Sequence, residues 1–167
     1  MKTLKLAALA ALLALAACKA KEPAPVSREI YPEPAQARAD LAAALQNAAA
    51  THKRVLIDFG GNWCADCRAL DFYFHDPANQ SLIAGNYLLV HVNIGRMDRN
   101  LDIAAKYDVP LDKGVPALAV LNEQGQLVYS QKNGQFESMR NLQSSAVTEF
   151  LSQWRPAAPC ATTVVSC

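Results

Sequence analysis

An excess of charge of either sign is missing from this sequence: 16 Lys and Arg stand against 15 Asp and Glu, a formal net charge of +1. Such a balance leaves no electrostatic footprint for nucleic acid or for an acidic membrane surface. Long apolar runs are missing too. Leu6 to Ala17 is closed off by Lys5 and Lys19, and a membrane-spanning helix takes about 20 apolar residues. There are no internal repeats. Cysteine is sparse, five in 167 residues, and a chain of this size can bury a sufficient core without metal or many disulfides, so the cysteines are free for chemistry.

What is present begins with the leader. Two lysines in Met1 to Lys5, the Leu/Ala run and small residues before Cys18 have the three-part layout of an export signal. Leu15-Ala16-Ala17-Cys18 resembles the lipobox of bacterial lipoproteins, which implies a signal peptide over 1–17, lipidation of Cys18 and attachment to the bacterial envelope facing the periplasm. The alternative is a plain cleaved signal. Lys19, in place of an aspartate that favours inner-membrane retention in that family, tilts the expectation toward the outer membrane. Several acyl chains exceed the threshold for stable anchoring.

With Cys18 set aside, four cysteines remain: the close pair Cys64 and Cys67, and the tail pair Cys160 and Cys167. An oxidising location allows both pairs to be disulfides. Residues 18–34 hold Pro23, Pro25, Pro32 and Pro34 among charged residues and read as a flexible tether. A domain over 35–155 and a tail over 156–167 complete the division.

Within that domain, good helix formers with Leu41 and Leu45 on one face predict a helix from about Pro34 to Ala50. Val55 to Phe59 reads as a buried strand carrying Asp58, and the two cysteines open a helix that continues through Phe74. A short helix from Pro77 to about Ala84, a strand over 87–94, a helix over 100–107, a hairpin of 115–121 with 126–130, and a helix over 145–154 follow. Alternation first and a hairpin later suggest a mixed sheet with helices on both faces.

From about Ala44 to Leu151 the chain resembles the thioredoxin superfamily. Trp63-Cys64-Ala65-Asp66-Cys67 looks like its active-site motif, and Asp58, six residues earlier, stands where thioredoxins place a buried aspartate. Asn93-Ile94, Ala105 to Val109, Gly114-Val115-Pro116 and Gly125 follow in the family's order. More narrowly, the Ala-rich leading helix and Gly-Asn-Trp-Cys resemble secreted thioredoxin-like domains akin to the periplasmic C-terminal domain of the transmembrane thiol:disulfide transporter. The resemblance implies an α/β thioredoxin fold, a central mixed β-sheet flanked by helices, with an extra N-terminal helix. It departs from the pattern at His91, where a lysine is common, at Ala65-Asp66 between the cysteines, and in three extra residues after Tyr107.

At a helix N-terminus, unpaired N–H groups and the helix dipole favour the Cys64 thiolate by about 0.3 to 1 kcal/mol. Cys64 is therefore the expected nucleophile and Cys67, one turn inward, the resolving thiol. An Asp66 carboxylate nearby offsets much of the dipole, which favours a reducing couple; helix capping is its other reading. By resemblance Asp58 accepts the Cys67 proton through water; the competing reading pairs it with Lys53, Arg54 or His91. Also by resemblance, Pro116 is cis and presents the Val115 backbone to a substrate strand. An ordinary trans turn proline is the alternative. Trp63 either shapes the docking face or is merely packed.

For Cys160 and Cys167 a local disulfide competes with exchange at the active site and with free thiols. A zinc site on all four cysteines is disfavoured by export and by the six-residue gap in the tail pair. Copper shared by Cys67 and His75 would have to bridge roughly 12 Å of helix. His52 reads as a solvated loop residue. The expected activity is disulfide reduction or isomerisation on exported proteins, with no cofactor and an upstream envelope thiol donor. The alternative is a lipoprotein adaptor or copper metallochaperone without turnover.

Overall fold

The computed structural model describes residues 29–157; the leader, Cys18, most of the tether, Cys160 and Cys167 lie outside the described residues. A 3₁₀ turn, Pro34–Gln36, leads into α1 (Ala37–Thr51), followed by β1 (Arg54–Gly60), α2 (Ala65–Phe74), α3 (Pro77–Asn86), β2 (Tyr87–Asn93), α4 (Leu101–Lys106), β3 (Ala117–Leu121), β4 (Leu127–Ser130) and α5 (Ser144–Gln153). The sheet runs β2-β1-β3-β4. β1 pairs parallel with β2 and antiparallel with β3, and β4 closes the hairpin.

Alternation along β1 sorts the core into two layers. Val55, Ile57 and Phe59 face α1 and α4, meeting Leu41, Ala44, Ala48 and Ile103. Steps of four, three and four residues put Ala37, Leu41, Ala44 and Ala48 on one stripe of α1, and the small alanine side chains let the helix approach the sheet closely. Leu56 faces the other way, into a layer with Leu70, Phe74, Leu118, Val147, Phe150 and Leu151. Truncating a buried leucine such as Leu118 to alanine should cost about 2 to 5 kcal/mol. Asp58 points into this second layer, and it is fully buried.

Two boundaries and one side chain differ from expectation for local reasons. The strand predicted from Val115 begins at Ala117, because Pro116 has no N–H to donate and follows a cis peptide bond. The helix after Asn100 starts only at Leu101, since Asn100 has φ 52° and sits outside it as the cap. His52 is exposed but paired: it ends α1 in the left-handed region, and its Nδ1 lies 2.7 Å from Glu123 Oε2.

The larger correction concerns the tether. Its last residues are bound to the domain, and Tyr31 is among the most buried side chains. The Asn62 amide accepts from the Ile30 and Tyr31 N–H groups at 2.9 and 3.0 Å and donates to the Tyr31 carbonyl at 2.9 Å. Asn93 and Asn100 donate to the carbonyls of Pro32 and Pro34, both at 2.8 Å. A proline-rich strand has few donors of its own, and these side chains satisfy its carbonyls instead. The segment from Ile30 to Pro34 is thus a strap laid across the end of β1 and β2.

Candidate active site

β1 ends at Gly60, and the turn through Asn62 and Trp63 delivers Cys64 as the N-cap of α2. Cys64 and Cys67 form a disulfide with their Cα atoms 5.2 Å apart. The Cys67 N–H donates to Cys64 Sγ at 3.0 Å, so a free helix-terminal donor already points at the sulfur where negative charge would develop. Cys64 retains 5% exposure and Cys67 none. Only Cys64 can be reached from outside.

Opposite the disulfide, Val115-Pro116 is a cis peptide bond, and the Val115 carbonyl oxygen lies 3.5 Å from Cys64 Sγ. Gln131 braces this segment. Its buried side chain donates to the Pro116 carbonyl and accepts from the Leu118 N–H, both at 3.2 Å. Trp63 is 43% exposed, with its indole N–H donated to the Gly95 carbonyl at 2.5 Å and the Arg96 guanidinium 6.0 Å from the ring centre. Together Trp63, Cys64, Met97, Leu111, Val115 and Arg140 line an open cleft of about 450 Å³. Its apolar walls and exposed backbone suit an extended peptide.

Behind the disulfide lies Asp58. Its Oδ2 accepts from the Tyr31 hydroxyl at 2.7 Å, and His91 Nδ1 lies 3.0 Å from the same oxygen. Oδ1 is buried with no hydrogen-bond partner among the described residues. Of the partners expected for Asp58, His91 is the one found; Lys53 and Arg54 instead donate to the carbonyls of Ala84 and Trp154. Burial, then the Asp58 and Asp71 carboxylates, push the Tyr31 hydroxyl well above the usual phenol range.

Asp66 does not cap α2. It accepts from the Arg140 backbone N–H at 2.9 Å and from Arg140 Nε at 3.1 Å. Partial burial pushes its carboxyl up, but the hydrogen bonds and charge of Arg140 outweigh that and hold it below the usual carboxylate range. The reducing bias argued from an unpaired Asp66 is therefore reduced. Among the described residues, no group of three or more His, Cys, Asp or Glu side chains is arranged to hold a metal ion.

The structure thus brings Cys64, Cys67, Asp58, Trp63, Val115 and Pro116 into one place. Sequence reasoning missed Tyr31, Asn62, Gln131 and Arg140. Ile30-Tyr31, an apolar and aromatic pair inside a polar proline-rich stretch, was the available signal for the first.

A strand, a dithiol at a helix N-terminus, a cis-proline loop across from it and a buried acid behind it define a thiol-disulfide exchange site on a mixed four-stranded sheet. The family model described as thioredoxin-like matches residues 36–123, and the chain belongs to that family. It is similar to the crystal structure of a disulphide isomerase from Xylella fastidiosa Temecula1, with 35% identity over 75% of this chain and 96% of that one and a TM-score of 0.72. The reduced C-terminal domain of DsbD from Neisseria meningitidis shares the fold at 19% identity, covering 71% of this chain and 96% of that one, with a TM-score of 0.51. A thioredoxin from Thermus thermophilus does so at 20%, covering 74% and 83%, also with a TM-score of 0.51. No curated protein matches the chain.

Proposed function

We propose that the protein is an enzyme of the bacterial envelope, anchored by lipid at Cys18, that reduces or isomerises disulfides in exported proteins. The observation that carries the chemistry is the accessible Cys64 beside a fully buried Cys67, facing the cis Val115-Pro116 bond and backed by Asp58. Similarity to a disulphide isomerase at 35% identity supports the same class of reaction.

Both outcomes begin alike. The Cys64 thiolate attacks a substrate disulfide, one substrate sulfur leaves as a thiolate, and a mixed disulfide remains on Cys64. In isomerisation, another substrate thiol displaces Cys64. In reduction, Cys67 gives its proton to Asp58, attacks Cys64 Sγ and releases the second substrate sulfur; the new Cys64-Cys67 disulfide holds the oxidation. An envelope thiol donor then returns two electrons. Substrate binds in the cleft, its backbone against Val115 and its side chains against Trp63.

Cys67→Ser is the test. It should accumulate mixed disulfides with exported proteins that are absent in Cys64→Ser, and it should lose insulin reduction while retaining part of any isomerase activity. Stable metal binding with no disulfide exchange would overturn the reading in favour of a metallochaperone.

A further inference from the structure

Resolution of the mixed disulfide requires a proton to travel from Cys67 to Asp58, and neither group is exposed. Tyr31 packs with Cys67 in one buried cluster and is bonded to Asp58. A methyl group at Gly60 would run into the Tyr31 hydroxyl oxygen and lie 2.7 Å from Tyr31 Cζ and 2.8 Å from Cys67 Sγ, so the hydroxyl and the sulfur border one methyl-sized space. The same hydroxyl donates to Asp58 Oδ2. Asn62 holds the backbone of Tyr31 on both sides, and the ring packs edge-on against His91 with centres 5.3 Å apart.

We propose that the Tyr31 hydroxyl relays the proton between the Cys67 thiol and the Asp58 carboxylate, in place of the water through which the family resemblance routes it. The proposal rests on the reading of Asp58 as the base for Cys67. In the step, the proton on Cys67 Sγ passes to Tyr31 Oη while the Tyr31 proton passes to Asp58 Oδ2. Tyr31 ends as it began, Asp58 ends protonated, and the Cys67 electron pair makes the bond to Cys64 Sγ as the substrate sulfur departs with the electrons of the broken bond. Burial and two nearby carboxylates disfavour a phenolate at position 31, so the two transfers are concerted.

The groups facing this relay set its pH response: Asp71 from α2, whose charge acts on Tyr31, and His91 from β2. Leu118, opposite Asp58 on β3, is apolar, and Asp40 of α1 shares an open cleft with His91.

The test follows oxidation of the full reduced chain by glutathione disulfide, with acid quenching and peptide mass spectrometry of the Cys64-glutathione adduct. Tyr31→Phe keeps the ring and removes the relay. It should form the adduct at the normal rate, resolve it on the order of 10²-fold more slowly, and change the pH dependence of that step. Asp58→Asn should slow resolution similarly, and the double variant should be no slower than Asp58→Asn alone. Replacing Tyr31 with 3-fluorotyrosine, which retains the hydroxyl, should restore the rate to within a few fold; failure to do so would assign the loss to packing and overturn the relay. Resolution by Tyr31→Phe at the wild-type rate and pH profile, with Asp58→Asn slow, overturns the relay and leaves Asp58 as the base. An unaffected Asp58→Asn removes both.

Discussion

Arg140 grips Asp66 through its backbone N–H and its guanidinium, two hydrogen bonds to one carboxylate oxygen at the mouth of the cleft that holds Cys64. The pair joins the dipeptide between the cysteines to the segment linking β4 to α5. A carboxylate beside a thiolate disfavours it; a guanidinium on that carboxylate restores part of the balance. The thiolate is the reduced form's reactive state, so this pair also sets the couple's poise.

Arg140→Ala should make the Cys64-Cys67 couple more reducing. An uncompensated carboxylate near the sulfur costs its anion roughly 0.5 to 2 kcal/mol, which corresponds to a shift on the order of 10 to 40 mV. Adding Asp66→Asn should return the potential toward the starting value. Equilibration with glutathione buffers measures both, and a potential indifferent to Arg140 would show that Asp66 is screened by solvent.

Asn62→Ala removes the amide that pairs with Ile30 and Tyr31. A destabilisation of about 1 to 3 kcal/mol is expected from these partly buried bonds, with faster hydrogen exchange at the Ile30 and Tyr31 amides than at β1. Equal protection in variant and parent would mean that the strap is held by Tyr31 alone.

Gly60→Ala places a Cβ against Tyr31 and Cys67 Sγ. Overpacking of this kind costs about 1 to 3 kcal/mol. The strap, rather than the core helix α2, should yield, so limited proteolysis near residues 29–34 should increase while far-UV circular dichroism holds. A variant as resistant as the parent would show that the space above Gly60 can adjust.

Alkaline stability should report Tyr31 as well. Folding raises its hydroxyl above the free value, so its contribution is complete below about pH 10 and is lost as pH climbs from there toward the folded value. Tyr31→Phe should flatten the alkaline limb of a denaturation series by about 1.4 kcal/mol per pH unit. Tyr87, buried and bonded to the Leu151 carbonyl, has its hydroxyl raised by burial, which the Arg54 and Arg155 charges only partly offset; Tyr87→Phe should act in the same direction. An unchanged slope for Tyr31→Phe would mean that the strap opens before the phenol ionises.

The dithiol was readable from local pattern, an apolar strand, a glycine turn and a close cysteine pair, while the role of Asp58 and the cis bond at Pro116 were legible only through the family resemblance. A mixed sheet with helices on both faces followed from the succession of elements; the strand order did not. Tyr31 had no such pattern. Prolines at 23, 25, 32 and 34 describe backbone stiffness, whereas the strap is fixed by amides 31 to 66 positions away in sequence. Arg140 meets Asp66 across 74 positions from a segment without periodicity, and Gln131 reaches the Pro116 carbonyl and the Leu118 N–H across the β3-β4 pairing. Such partners are defined by tertiary geometry alone.

The strap has a practical bearing on how the protein is cut. A recombinant fragment starting at residue 35 would keep the dithiol and every strand, and would leave the Asp58 carboxylate in a wetter, more polarisable pocket. Kinetics and potentials measured on that fragment would describe a different acid.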